Sequence, residues 1–390
     1  MSFLKNHRRW FKFLLVSASM ILIPLFIYSC GGHSEYSDLP ENVGVMITSE
    51  SLNSWVKNGF GGDSFGNTRM AILQIDTEDN YDDFGHVPGA FFVDQKAGTD
   101  LKDARNDGII KVNAQVPTRS MMDAMIQRTG IDGATLIVIT GNNMQIMGRL
   151  YWNFRYWGFR KGRLKVLNGT LDDYTAAGYP LTWTPTPEPE PSTYSVCEHN
   201  QSTSVDKFRA SLEEMRNVAA DSDPATLPLD IRTPEEFNGE QSSITDNKVA
   251  FTGRIRGAKH LQWEDLLEGG TASNYFKSKE DIEAIITVTG MDSSKTAYLY
   301  CQIAQRTSVS FLALDGILGW SAKMYDGSWL EWGNLSDDEG TLESDSPWRT
   351  DNSTYTDILG FSVTNKKPPV GNSFAANAKE INEEDKAACN

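Results

Sequence analysis

The amino-acid sequence predicts an α/β protein with two similar domains, each an open, mainly parallel sheet with helices on both faces. Its 390 residues exceed one ordinary core and suit two domains of about 150 residues each. A proline- and glutamate-rich stretch at residues 184–195 divides the chain and favours an extended, solvated linker with no core to join. Short apolar strands alternate with helices on both sides of it, as in parallel βαβ units.

The two halves repeat the same series of elements. Apolar strands are predicted at residues 72–76 and 227–232, each followed by an acidic turn. A second pair is predicted at residues 135–140 and 296–301, each lying between two helices. Such units imply parallel sheets, in which ligands bind at the carboxyl ends of the strands.

The helix before residues 296–301 has clear end signals. Ser278 is a good N-cap with Asp281 at the third helical position, and Gly290 stops the helix. The strand that follows ends at Cys301, so the sequence predicts a functional site at this residue.

The N-terminus is predicted to be a targeting segment. Basic residues up to Lys12 precede an apolar run at residues 13–28, which Pro24 interrupts. The run is short for a membrane span, which needs about 20 residues, and the pattern is that of a secretory signal peptide over residues 1–29. The ending Ile-Tyr-Ser-Cys resembles a bacterial lipoprotein box, which implies lipid attachment at Cys30. A plain signal peptide and an uncleaved anchor are the alternatives.

The rest of the chain divides into four further segments besides the linker. A lipid-anchored tether is predicted at residues 30–42, two domains at 43–183 and 196–345, and a polar tail at 346–390. The lipid would hold the protein to the bacterial cell envelope, on the periplasmic or surface face.

The charge balance restricts the kinds of binding partner that the protein can have. The net charge is −16, and removal of the four basic residues in the targeting segment leaves 32 basic against 52 acidic residues, or −20. This balance argues against nucleic acid or an anionic membrane surface as a partner. The expected membrane contact is therefore the N-terminal lipid.

The cysteines indicate one free thiol. If Cys30 carries lipid, three remain in an oxidising compartment, and an odd number cannot all pair within the chain. Cys197 and Cys389 lie near segment ends and could form a disulfide, which the sequence leaves open. Cys301 is then the candidate free thiol.

The segment that begins at Cys301 has the features of a nucleophilic site. Backbone N–H groups and the helix dipole favour an anion where a loop enters a helix. Arg306 adds a fixed positive charge, so the cysteine is expected to favour the nucleophilic thiolate. Thr307 and Ser308 can cap the helix or donate to an anion. Taken alone, Cys301 could equally be a small buried hydrophobe.

The whole pattern over residues 43–335 resembles the rhodanese family, specifically its tandem thiosulfate sulfurtransferases. The family's active loop has six residues, often Cys-Arg-x-Gly-x-Arg followed by Ser or Thr. Here Cys301, Arg306 and Thr307 match, whereas Gln302 and Ala304 replace the common Arg and Gly. Ala304 thus replaces the Gly that sets the backbone geometry of the family loop.

Two further stretches carry the resemblance. Residues 326–332, Asp-Gly-Ser-Trp-Leu-Glu-Trp, match a family stretch, and their tryptophans are expected to serve packing. Asp230 and Arg232 stand where the family has Asp-x-Arg. They could support the site, although a structural ion pair is the preferred interpretation. Glu235 and Glu236 are expected to form a solvated helix start.

The resemblance implies a covalent sulfur-transfer mechanism. Cys301 would take the outer sulfur of thiosulfate or a related donor as a persulfide and pass it to cyanide or a thiol. No metal or organic cofactor is required, and the sequence contains no His-Glu-x-x-His and no Cys-x-x-Cys motif. The residues assigned to substrate binding are Gln302, Ile303, Ala304, Gln305, Arg306 and Thr307.

The first half is expected to be inactive and to serve as support. Alignment of the two strands places Thr140 where Cys301 stands and Gln145 where Arg306 stands. Neither residue can carry sulfur.

Two other functions compete with sulfur transfer. A cysteine-dependent phosphatase uses the same chemistry, but it separates Cys and Arg by five residues, and here only four lie between Cys301 and Arg306. A non-catalytic rhodanese-like binding module at the membrane is the second alternative. The retained cysteine and arginine in one half argue against it.

Overall fold

The structure is a computed structural model, and its described residues belong to one compact unit. None of the helices described there is long and apolar enough to cross a membrane. The predicted signal peptide, Cys30, the tether and the polar tail from residue 346 lie outside the described residues. The described residues are 44–58, 69–107, 111–190, 192–198, 205–220, 223–240, 249, 252–270 and 274–333.

The first half contains seven described strands and five α-helices. The strands are β1 (Met46–Ile47), β2 (Met70–Asp76), β3 (Ala90–Asp94), β4 (Asp103–Arg105), β5 (Val112–Gln115), β6 (Leu136–Gly141) and β7 (Leu164–Leu167). The helices are α1 (Ser49–Asn58), α2 (Glu78–Phe84), α3 (Arg119–Arg128), α4 (Met144–Tyr156) and α5 (Leu171–Ala176).

Five of these strands form a parallel sheet in the order β1-β7-β6-β2-β3, while β4 and β5 form an antiparallel pair. All residues of β6 and all but the first of β2 are buried. Continuous burial requires apolar residues on both faces of a strand, which occurs when helices cover both sides of a parallel sheet.

The second half contains a four-stranded parallel sheet, and its helix α10 continues as a π-helix over Leu312–Leu318. The strands are β8 (Thr226–Asp230), β9 (Lys259–His260), β10 (Thr296–Tyr300) and β11 (Ser321–Met324), in the order β11-β10-β8-β9. The helices are α6 (Val205–Phe208), α7 (Leu212–Ala220), α8 (Pro234–Asn238), α9 (Lys279–Thr287), α10 (Thr307–Phe311) and α11 (Ser328–Trp332).

The two sheets have the same topology, which confirms the repeat and the α/β fold class. The order β7-β6-β2-β3 corresponds to β11-β10-β8-β9. Even β1 has a counterpart, because Arg209 forms an isolated parallel bridge with Met324 at the outer side of β11. The predicted domain boundaries themselves remain a prediction.

The strand register corrects the alignment of the two halves. The backbone N–H of Leu136 donates to the residue before β2, and that of Thr296 donates to the residue before β8. These two positions are therefore equivalent, and five residues further on Gly141, not Thr140, stands at the place of Cys301. The two strands look similar in sequence when they are aligned one residue out of register. The hydrogen bonds between strands define which residues are equivalent.

The first half also lacks the loop itself. Only two residues separate Gly141, the end of β6, from Met144, the start of α4. Six residues separate the corresponding elements of the second half. Gln145 therefore lies inside a helix rather than at the end of a loop, and the predicted correspondence with Arg306 is wrong.

The segment between the halves is extended as predicted, but it is docked rather than free. Its described residues contain no helix and no named strand. The Thr186 hydroxyl donates to the Ala90 carbonyl at 2.6 Å, and the Gln127 amide donates to the Tyr194 carbonyl at 3.0 Å. The linker therefore adds contacts to the first half.

Helices α4 and α10 pack closely at Gly148, which yields a stability prediction. A Cβ at this position would lie 2.7 Å from the Ser308 carbonyl oxygen, so Gly148→Ala must displace backbone. We expect a loss of about 1–3 kcal/mol in the free energy of unfolding, measured by denaturant titration. Gly162→Ala is the control, because a Cβ there meets nothing within 4 Å. An equal effect of the two substitutions would contradict the packing argument.

Candidate active site

Cys301 lies at the carboxyl edge of the second sheet, where ligands bind in parallel α/β folds. It follows β10 directly, and α10 begins at Thr307. Its thiol is free, as expected from the sequence, and the side chain is fully buried. The loop from Cys301 to Arg306, called here the sulfur loop, thus joins a buried strand to a buried helix.

The segment around α11 holds the start of the sulfur loop. The backbone N–H of Cys301 donates to the Ser328 hydroxyl at 3.3 Å, and its carbonyl accepts from the backbone of Trp329 at 2.9 Å. The Gln302 carbonyl accepts from the backbone of Leu330 at 2.9 Å. Ser328 itself adopts a left-handed backbone conformation with a φ of 51°. The matching family stretch therefore fixes the loop, in addition to packing its buried tryptophans.

The sulfur loop presents donors that have no internal partner. Among the described residues, none accepts a hydrogen bond from the backbone N–H groups of residues 302–306. The side-chain amide of Gln302 and the hydroxyl of Thr307 are buried and also have no partner there. Buried donors without partners are costly, and they can be satisfied by an anion bound at the loop.

Ala304 adopts the left-handed conformation that Gly would take in the family loop. Its φ is 57°, and its side chain is completely buried. This conformation costs a non-glycine residue about 1–2 kcal/mol. The Ala304 carbonyl accepts a hydrogen bond of 3.1 Å from Nη1 of Arg149, which belongs to α4 of the first half. The loop therefore keeps its shape without the Gly, supported from outside the second sheet.

Arg306 is held by a buried carboxylate. Its Nη1 and Nη2 donate to the two oxygens of Glu236 at 2.7 and 2.9 Å. Burial lowers the pKa of Arg306, but the hydrogen bonds and charge of Glu236, together with Cys301, raise it above its ordinary value. The guanidinium thus stays charged beside the cysteine.

Glu236 is a site residue that the sequence analysis missed. It was expected to be solvated, but it is only 1 % exposed. It forms a capping box with Thr233 at the start of α8, and the same carboxylate binds Arg306. The Thr-Pro-Glu-Glu sequence predicts the capping box. The contact between Glu236 and Arg306 could not be predicted in this way, because the two residues are 70 positions apart.

Asp230 and Arg232 form a buried structural ion pair. Nε and Nη2 of Arg232 donate to the two Asp230 oxygens at 2.8 and 2.6 Å. Asp230 also accepts from the Tyr300 hydroxyl at 2.8 Å. The guanidinium lies 4.5 Å from the ring centroid of Trp329. The pair thus contacts Tyr300 of β10 and Trp329 of α11, which favours the structural interpretation.

Arg149 brings the first half into the site. It is 2 % exposed, and its Nη2 donates to the Ala114 carbonyl at 2.6 Å. Burial lowers its pKa to about 10, while the charges of Asp326 and Cys301 act in the opposite direction. It therefore remains cationic at neutral pH and interacts electrostatically with the thiol.

Besides Cys301, only Cys197 lies within the described residues. Cys197 is disulfide-bonded. Cys30 and Cys389 lie outside the described residues, so the pairing of Cys197 with Cys389 stays a prediction. Within the described part of the chain, no cluster of three or more His, Cys, Asp or Glu side chains could hold a metal ion.

Comparison with known proteins places this site in a family. A model of the rhodanese-like domain matches residues 211–335. The sulfur carrier protein TtuD of Thermus thermophilus is 30% identical over 273 residues, or 68% of this chain and 89% of TtuD. A Mycobacterium bovis protein provisionally named thiosulfate sulfurtransferase 1 is 29% identical, with 68% and 90% covered. The chain belongs to the rhodanese family.

Within that family it is a thiosulfate sulfurtransferase-like enzyme that transfers sulfur. Solved structures show the same fold. The anaerobic ergothioneine biosynthesis enzyme of Chlorobium limicola, bound to trimethyl histidine, superposes with a TM-score of 0.61 at 21% identity, covering 76% of this chain and 70% of that one. EanB with ergothioneine gives a TM-score of 0.60 at 20% identity, covering 75% and 68%.

The strain at Ala304 can be tested by restoring glycine. Ala304→Gly removes the left-handed penalty, so we expect the free energy of unfolding to rise by about 1 kcal/mol with sulfur transfer retained. Ala313→Gly, within the buried π-helix, should instead lose about 1 kcal/mol. Denaturant titration measures both. A loss of stability in Ala304→Gly would show that the loop is not strained at this position.

The Glu236–Arg306 pair can be tested by removing one charge. Glu236→Gln keeps a capping group but leaves the buried guanidinium without its counter-charge, so we expect a loss of about 2 kcal/mol in unfolding free energy and at least about tenfold in sulfur transfer. The exposed neighbour provides the matched control, Glu235→Gln. Thermal unfolding and thiosulfate turnover give the two readouts. If both variants behave like the wild type, the pair has no role.

Proposed function

We propose that this enzyme moves a sulfane sulfur from thiosulfate, or a related donor, to a thiophilic acceptor such as cyanide or a thiol through a persulfide on Cys301. The observation that carries the proposal is the free, buried Cys301 thiol at the opening of a loop whose backbone N–H groups have no partner among the described residues. A nucleophile and an anion cradle in one loop suit covalent transfer of an anionic group.

The reaction divides into two displacements. The Cys301 thiolate attacks the outer sulfur of thiosulfate, a new S–S bond forms, and the old S–S bond breaks with its electron pair leaving on sulfite. The acceptor then attacks the terminal sulfur of the persulfide. The S–S bond to Cys301 breaks, its electron pair returns to the cysteine, and cyanide, for example, leaves as thiocyanate.

The surrounding residues have distinct roles in this proposal. The N–H groups of residues 302–306 stabilise the anionic sulfur, and Thr307 adds a buried hydroxyl. The resemblance to the family assigned Arg306 to substrate binding. Because both of its Nη groups bind Glu236, its main role is to supply positive charge beside the cysteine.

We also propose that the protein is exported and held to the cell envelope by a lipid on Cys30. The support is the sequence pattern of residues 1–30, a basic start, an apolar run and a lipoprotein-like ending. Metabolic labelling with a fatty acid should mark the wild type and not Cys30→Ser. Equal labelling of the two would contradict the anchor.

The persulfide mechanism predicts a mass change that depends on one residue. After incubation with thiosulfate alone, the intact wild-type protein should gain one sulfur, about 32 Da, and Cys301→Ser should gain none and show no turnover with cyanide. Peptide mapping of the added sulfur to Cys301 is the control. If neither thiosulfate nor a mercapto-acid modifies reduced wild-type protein, the enzyme mechanism fails and a binding module becomes the better explanation.

A further inference from the structure

The middle of the sulfur loop is held from the first half of the chain. The start of the loop is bound to the backbone of α11, and its end leads directly into α10. Between these ends, residues 303 and 304 have one hydrogen bond to another described residue, from Nη1 of Arg149 to the Ala304 carbonyl at 3.1 Å. The geometry of this part of the loop therefore depends on Arg149.

Arg149 itself has little freedom to move. Its side chain is buried, and its Nη2 donates to the Ala114 carbonyl of β5 at 2.6 Å. Its guanidinium lies 4.5 Å from the ring centroid of Trp152, which follows one turn later in α4. The ring and the carbonyl fix the plane of the guanidinium. Its Nη1 is thereby held in place towards the Ala304 carbonyl.

This hydrogen bond also sets the direction of a donor in the loop. The peptide between residues 304 and 305 is trans and planar, so the Ala304 carbonyl and the Gln305 N–H point in opposite directions. Because Arg149 binds the carbonyl, the N–H points away from Arg149, and no described residue accepts it. The left-handed φ of Ala304, 57°, is typical of turns in which neighbouring N–H groups bind an anion.

The charge of Arg149 suits a loop that holds an anion. Among the described residues its guanidinium donates only to carbonyls, and its buried Nε has no partner. A buried cation without a paired carboxylate is costly, and a neutral donor would hold the carbonyl at lower cost. An anionic sulfur on Cys301, with which Arg149 interacts electrostatically, offsets part of this cost. Arg306 acts on Cys301 directly, whereas Arg149 acts on the loop.

We propose that Arg149 is a positioning residue for sulfur transfer, which holds the 304–305 peptide so that the Gln305 N–H donates to the anionic sulfur on Cys301. This role rests on the proposed sulfur transfer at Cys301. It gives the inactive half a part in the reaction without any contact between that half and the substrate.

Kinetics of full-chain variants test the role. Arg149→Met removes the donors and the charge, so we expect kcat/KM for thiosulfate, per folded protein, to fall about tenfold to a hundredfold. Arg149→Lys keeps a charged donor and should restore part of the loss. The matched control is Arg155→Met, because Arg155 lies in the same helix and binds Asp315 of the second half at 2.8 Å. This control should lose stability while its kcat/KM stays near that of the wild type.

A second readout needs no sulfur donor. The ultraviolet absorbance of the Cys301 thiolate at neutral pH is the difference between each variant and the same variant with Cys301→Ser. We expect this absorbance to fall in Arg149→Met and to persist in Arg155→Met, because a misdirected N–H no longer stabilises the anion.

The outcomes separate the positioning role from sulfur transfer itself. If Arg149→Met and Arg155→Met have equal kcat/KM for thiosulfate, or if Arg149→Lys restores none of the loss, the positioning role is wrong, while persulfide formation in the wild type still supports sulfur transfer. If the wild type forms no persulfide, sulfur transfer fails. The thiolate absorbance then decides alone, and equal values in the two methionine variants would overturn the role of Arg149.

Discussion

The hydrogen bond from Arg149 to the Ala304 carbonyl is the contact on which the sulfur loop depends most. It joins a helix of the first half to the one loop residue in a left-handed conformation. A glycine at this position would keep the conformation at little cost, whereas an alanine needs compensation from its surroundings. The buried guanidinium provides this compensation and brings its charge close to Cys301 at the same time.

Other contacts between the two halves also support the segments next to the sulfur loop. The close approach of Gly148 to Ser308 places α4 against the start of α10. Asp326 accepts a hydrogen bond of 2.9 Å from the backbone N–H of Val116, which belongs to the first half. Because these contacts all involve segments next to the sulfur loop, the first half can support the site without having a loop of its own.

The sequence predicted the features that depend on local patterns. The paired strands, the loop opened by Cys301 and the N-cap at Ser278 were all readable, and the cap is confirmed by a 3.1 Å hydrogen bond from the Asp281 N–H. The contacts of Glu236 and Arg149 with the loop could not be predicted from the sequence. They join residues 70 and 155 positions apart, and neither residue type shows in a sequence which distant group it will meet. The single-residue register error has the same origin, since only strand pairing fixes equivalence.

The overall charge of the chain makes the cations near the sulfur loop important for the proposed anionic donor. A net charge of −16 repels a dianion such as thiosulfate at long range. At physiological salt this repulsion is screened over about 8 Å, so binding depends on the charges within that distance of the loop. Arg306 and Arg149 both act electrostatically on Cys301, and Glu236 offsets part of the charge of Arg306. Arg149 therefore lets the first half contribute to the site, through its hydrogen bond to Ala304 and its charge near Cys301, although that half has no sulfur loop of its own.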